Sequence, residues 1–208
     1  MSVPTLGVIL AGGLSRRMGG GDKPLRVLAG RTLLERVVER FAPQCPAGLI
    51  LNANGDPGRF GDFPGAIVPD GIAGNPGPLA GILAALEHAR AHHPEVVDVA
   101  SVTGDAPFLP DDLVARLAAA RRASGAPIAV AASGGRQHFT VALWAVSLRD
   151  DLRVTLIERD ERRVGAYLGR HGAVPVDWPI EPVDPFLNIN TPEDLDLATA
   201  VLSRIADG

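Results

Sequence analysis

Residues 6–23 read LGVILAGGLSRRMGGGDK, an apolar run that passes directly into a loop with five glycines. A brief apolar run bounded by glycines is typical of a strand that is buried on both faces of a parallel sheet. We therefore predict a strand from Leu6 to Leu10. The loop that follows lies where such a sheet binds ligands, outside the carboxyl end of the strand.

Similar apolar runs recur along the chain and alternate with helical patterns. Further strands are predicted at 48–52, 97–103, 128–132 and 139–146. Thr32 and Glu35 have the spacing of a capping box, so a helix should begin there and stop at Pro43. Other helices are predicted from residue 78 onward, from residue 111 onward, over 154–167 and over 192–205.

This alternation of strands and helices predicts an α/β fold with a doubly wound, mostly parallel sheet. At 208 residues the chain has the length of one domain with one core, and it contains neither a repeat nor a linker. We therefore expect a single domain. Its functional loops should follow the strands at their carboxyl ends.

Composition limits the class of ligand and the compartment. The formal net charge is −4, so there is no basic surface for nucleic acid or an acidic membrane, and anion recognition has to be local. Cys45 is the single cysteine, which excludes an internal disulfide and a multi-cysteine metal site. No signal-peptide pattern or run of about 20 apolar residues occurs. We expect a cytoplasmic protein without membrane or nucleic-acid partners.

The glycine-rich loop is predicted to bind phosphate groups. Its glycines let backbone N–H groups approach an anion closely. Arg16, Arg17 and Lys23 add three cations to the same loop. Pro24 follows Lys23 where a P-loop has serine or threonine, and no G-x-G-x-x-G opens a helix here. The alternative is a flexible surface turn with solvated charges.

The loop and several later segments together resemble one family. The string LAGGLSRRMGGGDK at 10–23 is similar to the signature of molybdenum cofactor guanylyltransferases, a branch of the Rossmann-like nucleotidyltransferases. Further matches follow in order at NAN (52–54), PD (69–70), PGPLAG (76–81), GDAPF (104–108), ERRV (161–164) and NINTPED (188–194). The resemblance implies one nucleotidyltransferase domain over 1–208. Its nucleotide-binding half would span about 1–110 and its acceptor-binding half about 111–208.

The resemblance also implies the substrates and the residues that bind them. The guanine nucleotide would be bound by Leu10, Ala11, Gly12, Gly13, Lys23, Asn52, Asp70 and Asp105. The double glycine at 12–13 is similar to the branch that uses GTP, whereas related cytidylyltransferases tend to carry a second alanine there. The implied substrates are GTP and molybdenum-molybdopterin. Molybdenum cofactor insertion proteins or apo-molybdoenzymes are the implied further partners.

Mg2+ is the expected cofactor. Asp105 is its expected ligand, both because of the resemblance and because of its position in the sequence. It follows the predicted strand at 97–103, so it would lie at the carboxyl edge of the sheet near the glycine-rich loop. Mg2+ binds through one or two carboxylates together with substrate phosphates, so no larger protein cage is needed. The alternative for an aspartate at this position is a turn or helix-cap role.

The expected reaction is attack by the terminal phosphate of molybdopterin on the α-phosphorus of GTP, with release of pyrophosphate. Lys23, Arg17 and the metal at Asp105 are the expected catalytic groups, because they would stabilise the growing negative charge. Asn188 and Asn190 alternate just before a helix start and are candidates to contact the phosphates, the metal or the acceptor.

One loop departs from the family pattern, and two other functions stay open. Phe139 follows His138 where the family usually has proline, which weakens any role assigned to this loop. One alternative function is a cytidylyltransferase or sugar-phosphate nucleotidyltransferase of the same fold. The other is a nucleotide-binding protein without turnover, which the presence of both Asp105 and Lys23 disfavours.

Overall fold

A computed structural model describes residues 4–12, 22–72 and 77–206, and these ranges contain nine strands and six α-helices. The strands are β1 (Thr5–Leu10), β2 (Val27–Leu28), β3 (Arg31–Thr32), β4 (Leu49–Asn52), β5 (Gly65–Val68), β6 (Asp98–Thr103), β7 (Ile128–Ser133), β8 (Arg136–Ala145) and β9 (Val174–Trp178). The helices are α1 (Leu33–Phe41), α2 (Pro78–His92), α3 (Leu113–Ser124), α4 (Arg149–Ile157), α5 (Val164–Arg170) and α6 (Pro192–Ala206).

Seven of the strands form one sheet in the order β5-β4-β1-β6-β8-β7-β9. Among these described strands β8 alone runs opposite to its neighbours, and all the other pairs are parallel. The strand order reverses between β1 and β6, which is the switch point at which such sheets bind ligands. The predicted doubly wound, mostly parallel α/β sheet is confirmed.

Helices cover both faces of the sheet because the inner strands β1, β4, β6 and β7 are buried on both sides along most of their length. The core on one face joins the sheet to α2, α4 and α5 and contains Trp144 and Tyr167. The core on the other face joins the sheet to α1 and α3 around Phe41. A third cluster packs α6 against β2 and includes Leu28 and Ile189. None of the described helices has the length and apolar character that a membrane span needs.

The start of α1 follows the prediction from the sequence. Thr32 Oγ1 accepts a hydrogen bond from Glu35 N–H at 3.1 Å, and Glu35 Oε2 accepts one from Thr32 N–H at 2.6 Å. The predicted capping box is therefore present, and it satisfies two N–H groups that the first helical turn leaves free. The helix ends at Phe41, one residue before a short 3-10 turn that contains Pro43.

Close packing of α1 on β1 explains the glycine within the first strand. A Cβ atom at Gly7 would lie 2.8 Å from Phe41 Cε1 and 2.7 Å from Cys45 Sγ, so a larger residue would push the helix away from the sheet. Burial raises the pKa of the Cys45 thiol. A thiol that stays protonated is a poor nucleophile, so Cys45 is a packing residue.

Two of the predicted elements differ from the observed ones by three residues or more. The helical pattern over 154–167 is divided, since α4 begins earlier, at Arg149, and α5 begins at Val164. Asp160 between them has a φ of 48°, and this left-handed conformation interrupts the helix. The strand predicted at 139–146 begins at Arg136, because a turn with positive φ at both glycines, 134 and 135, joins β8 to β7 as a hairpin.

Candidate active site

A cleft of about 780 Å³ opens at the carboxyl ends of β1, β4 and β6, around the switch point of the sheet. We call it the nucleotide cleft. It brings together most of the residues predicted to bind the nucleotide, namely Leu10, Ala11, Gly12, Lys23, Asn52, Asp70 and Asp105. Gly13 and Arg17, which were predicted to act beside them, lie outside the described residues.

Lys23 and Asp105 form the charged centre of the nucleotide cleft. Lys23 Nζ lies 3.2 Å from Asp105 Oδ2 and also donates a hydrogen bond to Asn190 Oδ1. The segment that carries Asn190 is fastened to the cleft, because Ile189 N–H donates to the backbone oxygen of Asp105 at 2.9 Å. The predicted asparagine thus reaches the site by contacting the lysine.

A second group of side chains in the cleft is held in place by mutual hydrogen bonds. Asp70 Oδ1 accepts from Asn52 Nδ2 at 3.0 Å, and Asp70 Oδ2 accepts from Asn54 Nδ2 at 2.8 Å. Asn52 is 5% exposed and also donates to the backbone oxygen of Val68 at 3.1 Å. A Cβ atom at Gly81 of α2 would lie 2.2 Å from Asn52 Oδ1, so the glycine makes room for this asparagine.

Arg59 is a cleft residue that the sequence did not indicate. Its Nε lies 2.6 Å from Asp22 Oδ2, and its guanidinium donates to the backbone oxygen of Asn54 at 2.6 Å. Arg59 therefore links the residue before Lys23 to the segment after β4. It lies in a short 3-10 turn with no motif around it, so only the folded chain reveals its place.

A second cavity of about 890 Å³ adjoins the nucleotide cleft, and the two share Pro78 and Thr140 in their walls. We call it the acceptor cavity. Its described residues include no aspartate or glutamate. They include three cations, one imidazole and two aromatic rings, namely Arg136, Arg162, Arg163, His138, Phe139 and Phe186. This composition suits an anionic ligand with a flat apolar body.

Asn188 connects the two cavities. It lines the acceptor cavity, and its Oδ1 accepts a hydrogen bond at 3.0 Å from Thr103 Oγ1, which belongs to the wall of the nucleotide cleft. The two predicted asparagines therefore lie at different places. Asn188 lines the acceptor cavity, whereas Asn190 contacts Lys23 in the nucleotide cleft.

The donor set around Asp105 suits a metal ion that is shared with a substrate. One carboxylate oxygen of Asp105 contacts Lys23, and the other makes no hydrogen bond within the described part of the chain. The same ranges contain no cluster of three or more His, Cys, Asp or Glu residues that could hold a metal alone. One carboxylate with neighbouring amide oxygens fits Mg2+, which takes its remaining ligands from phosphates and water.

The doubly wound sheet, with lysine, aspartate and asparagine side chains gathered at its switch point, places the chain in the class of α/β proteins that bind a ligand at this edge of the sheet. Within that class, residues 7–174 match the model of the MobA-like NTP transferase domain. The chain therefore belongs to this family of nucleotidyltransferases.

The similarity to known proteins extends over nearly the whole chain. The chain is 54% identical to the molybdenum cofactor guanylyltransferase of Bradyrhizobium sp. (strain ORS 278), over 91% of this chain and 89% of that protein. It is 52% identical to the protein of the same name from Rhodopseudomonas palustris (strain BisB5), over 96% and 95%. The solved molybdopterin-guanine dinucleotide biosynthesis protein A from Archaeoglobus fulgidus has the same fold, with a TM-score of 0.72, 24% identity and coverage of 96% and 99%.

Proposed function

We propose that this protein transfers GMP from GTP to molybdenum-molybdopterin, forming the guanine dinucleotide cofactor and releasing pyrophosphate. The observation that carries the proposal is the common wall of the two cavities at Pro78 and Thr140. A nucleotide in one cavity and a phosphorylated acceptor in the other would meet beside Lys23 and Asp105. The names of the similar proteins agree with this substrate pair.

The chain's own residues would act chiefly by charge and position. Attack by the acceptor phosphate on the α-phosphorus needs little acid-base assistance, because a phosphate monoester is already anionic near neutral pH. Lys23 would stabilise the negative charge that grows on the α-phosphoryl oxygens, with Asn190 holding its ammonium group in place. Arg17 is proposed to assist from the glycine-rich loop.

Mg2+ is proposed as the cofactor, with Asp105 as its carboxylate ligand. The Asp105 oxygen that makes no hydrogen bond within the described residues, together with the neighbouring amide oxygens, suits this ion. When bound, the ion would neutralise phosphate charge and polarise the phosphoryl oxygens. Asp105 itself would serve two purposes, because its other oxygen keeps Lys23 at the centre of the cleft.

Guanine selectivity is proposed to depend on the side chains around Asp70. Asn52, Asn54 and Asp70 hold one another in fixed orientations, so their remaining polar atoms would meet the base or ribose in one geometry. A base with a different hydrogen-bonding edge would leave such groups unsatisfied, at a cost of about 1–3 kcal/mol for each buried group.

The test is a turnover assay with the purified full chain, Mg2+ and molybdenum-loaded molybdopterin. GTP, CTP, ATP and UTP compete at equal concentrations, and the dinucleotide product and pyrophosphate are measured. We expect the guanine dinucleotide to predominate. Preferential use of CTP would overturn the guanylyltransferase assignment, and binding of GTP without any pyrophosphate release would favour a nucleotide-binding protein without turnover.

A further inference from the structure

Three polar side chains are joined behind the wall of the acceptor cavity. Ser133 ends β7, His138 lies on β8, and Asp184 lies before α6. Ser133 Oγ lies 2.7 Å from His138 Nε2 and donates to Asp184 Oδ1 at 2.8 Å. Ser133 is 2% exposed, so its hydroxyl does not face a substrate. The set is not a nucleophilic triad, in which the histidine lies between the serine and the acid.

The carboxylate determines the direction of each hydrogen bond in this set. An ionised carboxylate only accepts hydrogen bonds. Asp184 Oδ1 accepts from the Ser133 hydroxyl and, at 3.0 Å, from Phe186 N–H. The single hydroxyl proton of Ser133 is thereby engaged, so Ser133 Oγ accepts from His138 and Nε2 carries the hydrogen. The neutral imidazole of His138 then has its lone pair at Nδ1.

Nδ1 is the polar atom that His138 can offer to a ligand. The residue lines the acceptor cavity, and Nδ1 makes no hydrogen bond to any residue within 4–12, 22–72 or 77–206. The Phe186 ring packs beside the imidazole, with 4.7 Å between the ring centroids. Burial lowers the pKa of His138, Asp184 partly opposes this, and the charge of Arg136 lowers it further. Near neutral pH Nδ1 is therefore a hydrogen-bond acceptor.

We propose that His138 Nδ1 accepts a hydrogen bond from an N–H group on the planar heterocycle of the acceptor, and that Ser133 and Asp184 are positioning residues that keep it in this state. The proposal rests on the proposed function, because that function brings a pterin ring with ring and exocyclic N–H groups into the cavity. Phe139, which is 44% exposed, offers such a ring an apolar face for stacking.

His138 would supply a selectivity that the arginines of the cavity do not. The guanidinium groups of Arg136, Arg162 and Arg163 attract an anion whatever ring it carries. His138 is half-buried, and its Nδ1, fixed as an acceptor, would discriminate between rings, because a ring without an N–H group at that point leaves it unsatisfied. The cations would thus bind the phosphorylated end, and the imidazole would recognise the heterocycle.

Two substitutions of His138 distinguish the roles of its two ring nitrogens. The side-chain amide of His138→Asn can reach the place of Nδ1, whereas that of His138→Gln can reach the place of Nε2. We expect about a tenfold rise in the KM for molybdenum-molybdopterin in His138→Gln, a loss of ~1.4 kcal/mol. His138→Asn should recover part of it, and the KM for GTP should be unchanged in both. His88→Gln, near the other end of α2 from Pro78 and outside the walls of both cavities, is the matched control.

Binding of molybdopterin, followed by the fluorescence of its pterin ring without GTP present, tests His138 independently of turnover. Weaker binding in His138→Gln than in His138→Asn supports the role of Nδ1 even if the wild-type chain transfers no GMP, a result that would overturn only the proposed function. Equal binding by the wild-type chain and both variants would overturn the role of His138, even if transfer proceeds.

The protonation state is measured directly by NMR of the chain with 15N-labelled histidine. The His138 signals are identified by their loss in His138→Gln. We expect a neutral ring with hydrogen on Nε2 in the wild-type chain, and a mixture of the two tautomers in Ser133→Ala. Hydrogen on Nδ1 in the wild-type chain would contradict the proposal, because that atom could then only donate.

Discussion

The nucleotide cleft and the acceptor cavity meet at Pro78 and Thr140, but they are built in different ways. Most residues of the nucleotide cleft lie at or just after the ends of the parallel strands β1, β4, β5 and β6, and its charged residues include both acids and bases. The acceptor cavity rests on the antiparallel strand β8 and on segments before α5 and α6, and its described charged residues are all basic.

This difference separates two tasks. The nucleotide cleft combines acids with bases, as a site must if it is to hold a cation and an anion together during phosphoryl transfer. The acceptor cavity needs only to hold an anion in position. Substitutions of the charged residues at the centre of the first region should therefore lower kcat, whereas substitutions in the second region should raise the KM for the acceptor alone.

Asp105→Asn should have the largest effect, because it removes the expected metal carboxylate while keeping the shape of the side chain. We expect kcat to fall by about 100-fold or more, a loss of roughly 2.7 kcal/mol or more. Rates of pyrophosphate release across a range of Mg2+ concentrations measure it, with the exposed Asp62→Asn as the control. Wild-type activity with the same Mg2+ dependence would show that the metal is held elsewhere.

Lys23→Ala should have the next largest effect, because the cleft loses the ammonium group at its centre. We expect a decrease in kcat/KM of about tenfold or more, at least ~1.4 kcal/mol. Lys23→Arg restores charge with a different shape and should recover only part of the rate. Unchanged kinetics in Lys23→Ala would show that this residue takes no part in the reaction. The expected difference between the two cavities, in which charged residues of the nucleotide cleft affect kcat, would then lose its support.

Gly81→Ala should affect GTP binding by displacing Asn52, whose Oδ1 would lie 2.2 Å from the new methyl group. We expect the KM for GTP to rise by about fivefold, or ~1 kcal/mol, while the KM for the acceptor stays the same. Gly169→Ala on α5 is the control, because a Cβ atom there meets nothing within 4 Å. A normal KM for GTP in Gly81→Ala would mean that Asn52 does not bind the nucleotide.

Arg136→Ala should have the smallest effect, because Arg136 is exposed and the interaction of an exposed charge is weakened by the surrounding solvent. We expect the KM for the acceptor to rise by about threefold, and the rise to shrink at high salt as the charge is screened. Arg122→Ala on α3, outside both cavities, is the control. An equal change in the KM for GTP would contradict the expected division of tasks between the two cavities, because the charge of Arg136 would then act on both substrates.

Much of the fold and of the nucleotide cleft could be predicted because the information is local. The first strand has an unbroken apolar run, and the capping box at Thr32 and Glu35 involves residues three positions apart. Asn52 ends β4, and Asp105 lies two residues after the end of β6. The half-exposed edge strand β5 was not predicted, because its four residues have neither a long apolar run nor a clear alternation.

The acceptor cavity could not be predicted in this way because distant residues form it. Ser133 and Asp184 are 51 positions apart, and their contact exists only once β7 and the segment before α6 are in place. The contact of Arg59 with Asp22 could not be predicted for a similar reason, because α1 and β4 lie between the two residues in the sequence. The resemblance to a family assigned no role to the loop of His138, although the geometry of the folded chain gives that side chain a defined hydrogen-bonding state.

The contact of Lys23 with Asp105 and Asn190 has a practical consequence, because Lys23 is the only lysine of the chain. Reductive methylation with a 13C-labelled reagent would mark the α-amino group and this single ε-amino group. The chain would then carry one side-chain NMR signal, at the centre of the nucleotide cleft. Its chemical shift would report each change in charge around Asp105 as triphosphate, metal and acceptor are added in turn, without further assignment.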